Sequence, residues 1–499
     1  ARRGKACACP LHMKALNALL GADYTREAAW AQIERGGAEG ARVRDALIET
    51  QRVSLVNAAA RIRRAIDAID PSIEGAYCAC GDSAEFAAEI AAILARKGQR
   101  PIIRINNGNY CADSAHRLSR ISFRAALQAN YLRASGALLL AETDTCPHNR
   151  YSTSASMLHT HFVLSILEGA QGAKQWIMRL NHYEPSSGAA YRKILSENSG
   201  LYRALIELIP HAKWMGCRIP LPACTLYSFG GEYSDGWFAC ALERLGLPLY
   251  FSAVPGGAAF LDDFDDRVFT DEQLKALFDG GAVLSARAAE TLNRRGLQAF
   301  TGVDVVPWRG DAPEYEKTAG GAQMENQAEL SALIPCAETA RADTFVCNFS
   351  EHNRETALFP GSVVFENPRG THTVVFAGTP NAPFRFGPVF SFLNETRKAQ
   401  LVRLLDEMGC LPAYYPGDAE VYFRCAKLDS GEFLCVFINL GADPLDEIEL
   451  VCQSAVASVS VLEADGAFAS RPFRREGKTL HIADKAVLLR PVLMKLLLE

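Results

Sequence analysis

Two spacings of apolar residues alternate along the first part of the chain. Leu11 to Leu20 and Thr25 to Ala68 carry Ala, Leu and Arg at helical spacing, and Thr25, ahead of Ala28, is placed to cap a helix. "SIEGAYCACG" (Ser72 to Gly81) then predicts a short strand, and "SAEFAAEIAAILARKG" a helix closed by Gly98. The pattern continues as strand "RPIIRINNGNYC", helix "SAHRLSRISFRAALQANYLRASG" stopped by Gly136, and strand "GALLLAETD". It ends with helix "SASMLHTHFVLSILEGAQGA", strand "KQWIMRLNHYE" and helix "AAYRKILSENSGLYRALIELI". Repeated strand–helix units with short turns point to a parallel sheet with right-handed crossovers.

A second α/β stretch follows. "CRIPLPACTLYSF" and "LPLYFSAV" read as strands with the helix "SDGWFACALERLG" between them. "TDEQLKALFDGG" is a helix, "AVLSA" a strand and "RAAETLNRRG" a helix closed by Gly296. From Gly310 to Gln327 the composition turns to Gly, Ala, Glu and Pro, which predicts a long loop. Beyond it lie the β segments "DTFVCNFS", "GSVVFENP" and "THTVVFAGTP", and one helix, "NETRKAQLVRLLDEMG". From Ala419 onward the apolar period is two, with turn residues between the runs, as in a small all-β domain.

The sharpest break in the pattern is "GALLLAETDTCPHNRYSTS". An apolar run from Ala137 to Ala141 stops at Glu142 and Asp144. Such a run, bounded by Gly and a polar cluster, fits a parallel strand buried on both faces. A carboxylate at its C-terminal end sits where α/β barrels and open α/β sheets place their chemistry. From position alone, a strand-end carboxylate that caps the following helix is an equal reading.

Composition narrows the function classes. The 499 residues, 49% of them hydrophobic, suit a soluble protein of several domains with sizeable cores. A net charge of -5 gives no footprint for nucleic acid. No apolar run approaches the roughly 18 residues that cross a membrane, and the N-terminus has no signal-peptide core. Fifteen scattered cysteines read as reduced thiols of a cytoplasmic protein. The Gly pairs in "FGGE", "PGGA" and "DGGA" lack a complete phosphate-binding pattern and read as turns.

The order of barrel-like α/β units, a further α/β domain and a small β domain resembles glycoside hydrolase family 42, β-galactosidases with a trimerisation domain. "LFDGGAVLSARAAETLNRRG" is similar to that domain's helix–strand–helix segment, and "LPLYFSAVPGG" to its second strand. "LLLAETDTCPHNRYSTSASMLHTHFVLSILEGAQGAKQWIMR" has the layout of the family's seventh barrel strand, its loop and helix, and its eighth strand. The resemblance implies an α/β fold in three parts: the C-terminal half of a (β/α)8 barrel over 1–215, a flavodoxin-like trimerisation-type domain over 216–414, and a β-sandwich over 415–499. "GAYCAC", "PIIRIN" and "KQWIMR" become strands five, six and eight, so strands one to four are expected ahead of Ala1. Half a barrel leaves two open edges, so the other half comes from upstream, the favoured reading, or from a partner, unless the barrel assignment fails.

The resemblance also assigns chemistry. Such enzymes are retaining glycosidases whose two carboxyls stand about 5–5.5 Å apart, one a nucleophile and the other an acid and then a base. The nucleophile maps to Glu142, with Asp144 in reserve and as a substrate contact, and the acid/base lies on a strand expected ahead of Ala1. Tyr110 would hydrogen-bond the nucleophile, or else is a loop Tyr packed in place. Trp176 would be a platform for a sugar ring. Followed by Ile177 and Met178, however, it reads slightly better as a core residue. Asn107 is a substrate-binding candidate, and Asn106, Arg150, His182 and Tyr183 also fall at strand ends. Cys7, Cys9 and His12 stand where some family members hold a structural zinc on cysteines, the His being a departure; three of four ligands are then visible. The other reading is reduced thiols at a helix start. No cofactor is expected for catalysis.

The function implied is a cytoplasmic β-galactosidase-like retaining glycosidase, homo-oligomeric and most simply trimeric, acting on small glycosides or oligosaccharides. Its rivals are a non-catalytic carbohydrate-binding or assembly protein on the same scaffold, and a hydrolase of another class using Asp144 and His148.

Overall fold

The computed structural model describes residues 7–79, 84–108, 118–146, 148, 150–177, 188–221, 236–264, 266, 269–349, 354–380 and 391–499. The chain opens with α1 (Pro10–Leu20) and α2 (Arg26–Arg35), whose N-cap Thr25 accepts from the Ala28 amide at 3.1 Å. The helical run expected to continue to Ala68 is interrupted at Gly36 and Gly37. Both have left-handed φ, 73° and 70°, which only glycine takes at little cost. α3 (Gly37–Asp67) resumes at the second of them. These helices and α4 (Ala84–Leu94) pack around Leu16, Ile33, Val43, Leu47, Phe86 and Ile90.

β1 (Tyr77–Cys78), β2 (Ile102–Arg104), β3 (Leu138–Asp144) and β4 (Ala173–Trp176) form a parallel sheet in chain order. α4, α5 (Leu118–Leu132) and α6 (Ala155–Leu167) connect successive strands. Period-two alternation gives the sheet two unlike faces. Ile103, Ile105 and Leu139 lie buried in a core with Ala87, Ala91, Ala125 and Ala129 of the helices, and Ala141 is buried on the same side. Cys78, Arg104, Leu140, Glu142, Lys174 and Trp176 share the opposite face by register, and each is at least partly open. The Lys174 ammonium lies 3.9 Å from the Cys78 sulfur, although β1 and β4 are three strand spacings apart. In a flat sheet that is about 14 Å. The sheet is therefore curled, and this face is its concave side.

After α7 (Ala189–Glu197) and α8 (Ser199–Leu208) come β5 (Ala212–Met215), β6 (Cys217–Pro220), β7 (Leu245–Ser252), β8 (Ala258–Leu261) and β9 (Ala282–Ser285). β7, β6, β8 and β9 pair in parallel at the centre of a 15-stranded sheet. Beyond β9 it continues through His372–Phe376, Glu355–Glu366, Arg341–Phe349 and Tyr315–Thr318 to Gln323–Met324. Beyond β7 it continues through Val421–Leu428, Phe433–Asn439 and Val492–Leu498, while β5 joins Val421–Leu428 from the side. The expected loop over Gly310 to Gln327 thus contains a hairpin. Its strands are set by non-local partners: Tyr315–Thr318 pairs with Thr344 to Cys347, and Glu316 is fully buried against Arg397. Local composition carries no trace of either. A four-stranded sheet running from Ala413–Tyr414 through Ile448–Cys452 and Thr479–Ile482 to Phe473–Glu476 closes the C-terminal core, meeting Phe423, Cys435, Phe437 and Met494.

The largest core joins these parts. Leu118 and Phe123 of α5, Phe162 and Leu164 of α6 and Leu205 of α8 pack with Leu249, Phe376, Tyr422 and Leu493. A buried ion pair spans the same junction. Arg424, on the strand Val421–Leu428, meets Glu168 just past α6, with side chains 0% and 5% exposed. Its guanidinium also lies 4.0 Å from the Trp214 ring centroid. Burial raises the Glu168 carboxyl, and the Arg424 charge pulls against that rise. Arg424→Met keeps most of the volume and strands the carboxylate, so stability measured by urea unfolding should drop by about 3–5 kcal/mol. Adding Glu168→Leu should restore most of the loss; a single variant near wild-type stability would show that the pair holds nothing together.

Candidate active site

The concave face gathers its polar groups at the C-terminal end of β3. Leu139, Ala141 and Thr143 point into the helical layer, and Leu138, Leu140 and Glu142 into the concavity. Asp144 follows on the same side but is buried. The Glu142 amide donates to Asn107 Oδ1 at 3.0 Å. Asn107 donates in turn to Ser165 Oγ at 2.8 Å and stands 3.4 Å from His161 Nε2, both on α6. Asn107 is thus fully buried and holds the strand in place; its amide does not face the concavity where a substrate would lie. Asn106 is likewise engaged through its backbone, by Gln128.

The Glu142 carboxylate pairs with Arg104 from the neighbouring strand, their side chains 15% and 16% exposed. The period-two spacing of "PIIRIN" is the one signal that could have found Arg104, an arginine set among isoleucines. Asp144 accepts from the Cys146 amide at 2.7 Å and lies 3.9 Å from His148 Nδ1. Burial raises its carboxyl above the usual range. His148 has a left-handed φ of 67°, held by its amide to Thr145 O and by Thr145 Oγ1 at 3.3 Å from Nδ1. Its ring stacks on Trp176 at 4.9 Å between centroids, with 29° between planes. Trp176 is 52% exposed, against the core reading favoured by its apolar neighbours. It lies opposite Asp144 in register, with His148 on one side and open space beyond. The structure therefore brings Glu142, Asp144, Arg104, His148 and Trp176 together. Arg150 is exposed, and Tyr110, His182 and Tyr183 lie outside the described residues.

Cys7, Cys9 and His12 form a separate cluster at the start of α1. Their ligand atoms all lie within 4.8 Å of one another. Cys9 Sγ is 3.2 Å from His12 Nδ1, and His12 Nε2 is 3.0 Å from Ser54 Oγ, so the ring is oriented from behind. The backbone and then the side chain of His12 lower the Cys9 thiol to about 6, favouring the thiolate that metals bind. A tetrahedral ion fits this donor set with one position to spare. Glu447, Glu449 and His481 make a second converging group, far along the sequence on the C-terminal strands.

No family model matches the sequence, and no curated protein matches it. Among solved structures, the chain is similar to α-L-fucosidase isoenzyme 2 from Paenibacillus thiaminolyticus, with a TM-score of 0.55 at 13% identity over 99% of this chain and 76% of that one. It also aligns with a rhamnosidase from Novosphingobium sp. PP1Y at TM-score 0.48 and 10% identity, over 98% and 43% of the two chains. A third match is the exo-β-1,4-mannosidase Op5Man5 from Opitutaceae bacterium strain TAV5, at 0.33 and 10% over 62% and 60%. The fold is therefore like that of the fucosidase structure, and this likeness does not single out family 42. Among the described residues, no helix is long and apolar enough to cross a membrane.

The helix behind the site sets a pH dependence. Burial lowers both His159 and His161 from 6.5 to about 4. Between those values the unfolded chain takes up protons that the folded imidazoles refuse, so acidification favours unfolding. Each group contributes at most about 1.4 kcal/mol per pH unit. Stability from urea unfolding should therefore fall between pH 6.5 and about 4, and His159→Gln and His161→Gln should each flatten the slope. Slopes unchanged in both variants would contradict this origin.

Proposed function

We propose that the protein is a retaining β-glycosidase, β-galactosidase-like, acting on small glycosides or oligosaccharides with Glu142 as nucleophile. The observation that carries this reading is the seat of Glu142: the C-terminal end of a parallel strand, on the concave face, beside an exposed indole. Supporting it, the Asn107 contact fixes the backbone of Glu142, and Arg104 supplies the counter-charge to an ionised carboxylate. In the double displacement, Glu142 attacks the anomeric carbon as a second carboxyl protonates the leaving oxygen, and water then releases the sugar. Trp176 offers its free face to the apolar side of a sugar ring. Asp144 is too buried to serve as a substrate contact at rest; its place is below His148, whose ring backs the indole. The four parallel strands in chain order fit the second half of a (β/α)8 barrel, whose other half would supply the second carboxyl and cover the concavity. A closed homo-oligomer, a trimer built on 216–414, belongs to the same reading.

Glu142→Gln should abolish turnover of an activated aryl glycoside by several orders of magnitude with the fold unchanged by circular dichroism. Near wild-type turnover in that variant rules out Glu142 as nucleophile. A wild-type protein that binds sugars but cleaves none would favour the non-catalytic reading.

A structural zinc at Cys7, Cys9 and His12 is the second part of the proposal. Zinc there would tie the chain start to α1 and take no part in the reaction. Elemental analysis of the purified protein should find about one zinc per chain, lost together with some thermal stability in Cys9→Ser. Zinc-free wild-type protein, refractory to added zinc, would leave the cluster as plain thiols.

A further inference from the structure

A second site lies at the opposite end of the curled sheet from Glu142. Residues just ahead of β2, β3 and β4 (Arg100, Ala137 and Gln171 among them) wall a cavity of about 310 Å³. The tail of α5, the end of α6 and the segment from α8 into β5 complete it, with Leu132, Ile166, Ile206 and Pro210 as apolar lining. It shares Arg133, Glu168, Ala212 and Trp214 with an adjoining cleft of about 530 Å³, so ligand can reach it from outside. This size falls at the low end for small-molecule pockets and takes one or two sugar rings.

Three polar groups there have work left to do. Glu168 is 4% exposed, and only its Oε1 receives Arg424; Oε2 has no donor among the described residues, yet is not sealed off. Arg133, exposed on the turn Arg133–Ser135 after α5, makes no hydrogen bond or ion pair among the described residues, yet stands near enough to Glu168 to act on its charge. Trp214 carries Arg424 on its ring and lines the cavity, its indole N–H without an acceptor among the described residues. Arg100 and Gln171, by contrast, are spent on each other and on the Gly136 and Ala137 carbonyls, which makes them fixed wall.

The geometry points to a binding site for a neutral polyhydroxylated ring, a mono- or disaccharide, in this cavity between Glu168, Arg133 and Trp214. The charges choose the class. A cation would face Arg100 and Arg133, and an anion would face the open oxygen of Glu168. A neutral polyol meets neither penalty: its hydroxyls donate to Glu168 and accept from Arg133 and the indole, each a charge-assisted or well-aligned bond. Its apolar ring face meets the aliphatic wall and the indole. Because the cavity opens at the other end of the strands, occupancy does not obstruct Glu142.

Incorporating 5-fluorotryptophan into the full chain gives five fluorine resonances, for Trp30, Trp176, Trp214, Trp237 and Trp308. Trp214→Phe assigns the reporter, or the four other single Trp→Phe variants assign it by elimination if that variant does not fold. Titration with D-galactose, L-fucose and lactose should move the Trp214 signal saturably, with a dissociation constant of about 1–10 mM. Arg133→Ala should weaken that response about tenfold while leaving the Trp176 signal as it was. No saturable shift at Trp214 by about 0.1 M sugar overturns the proposal. So does a shift indifferent to Arg133→Ala, or one produced by benzoate or an alkylammonium and not by sugars. The Trp176 signal reports the concave face alone, so silence there counts against the glycosidase reading and not against this site.

Discussion

α6 has no solvent face. Every residue from Met157 to Leu167 is buried, including His159, Thr160, His161 and Ser165. A helix enclosed on all sides must find a partner for each polar side chain, because an unpaired buried group costs about 1–3 kcal/mol. The partners come from four directions. His159 meets Tyr202 of α8 at 2.7 Å, and Thr160 donates to Leu489 O in the C-terminal region at 2.6 Å. His161 and Ser165 meet Asn107 beyond β2, and Glu168 at the end of the helix takes Arg424. One helix thereby fixes the parallel sheet against everything that follows it.

That enclosure explains the rigidity of the candidate site. Glu142 is not placed by its own strand alone, since its amide is held by an asparagine that α6 locks from behind. The neutral state of His161 matters here: burial keeps the imidazole uncharged, and a charged ring would face Asn107 with no carboxylate to answer it among the described residues. On the open side the order relaxes. Trp176 and Lys174 are exposed, and Leu138 and Leu140 are only half covered. A site built as rigid floor and open front suits a ligand that supplies the remaining contacts itself.

Much of this was legible from residue order. The apolar run ended by Glu142 and Asp144 announced β3, and Thr25 announced its helix, because both signals are local. The three helices joining four parallel strands followed from periodicity. What could not be read depends on distant partners. The hairpin at Tyr315–Thr318 exists because Arg341–Phe349 lies beside it, and Glu316 is tolerable inside only because Arg397 reaches it at 2.5 Å. Asn107 looked like a strand-end ligand, since nothing in "RINNGN" reveals that α6 consumes its side chain. Trp176 looked buried because Ile177 follows it, but its register puts the side chain on the concave face, which the described residues leave open.

Two of the three fully buried arginines among the described residues, Arg397 and Arg424, carry the same lesson about long-range order. Arg397 is satisfied by both oxygens of Glu316, by Gln400 and by Ser391 O, with Phe376 and Phe392 flanking its guanidinium. Arg424 has Glu168 and the face of Trp214. Apolar residues of equal volume would serve stability about as well, because desolvation consumes most of what such pairs gain. Register is a different matter. A leucine at either position would accept many neighbours, whereas a buried guanidinium accepts only the one arrangement that brings its carboxylate. Arg424 meets Glu168 only when the end of α6 faces the strand Val421–Leu428, and Arg397 meets Glu316 only when the helix Glu395–Glu407 lies over the hairpin. The apolar core joins the helical and β parts, and each of these two contacts excludes the slipped packings that apolar surfaces alone would permit.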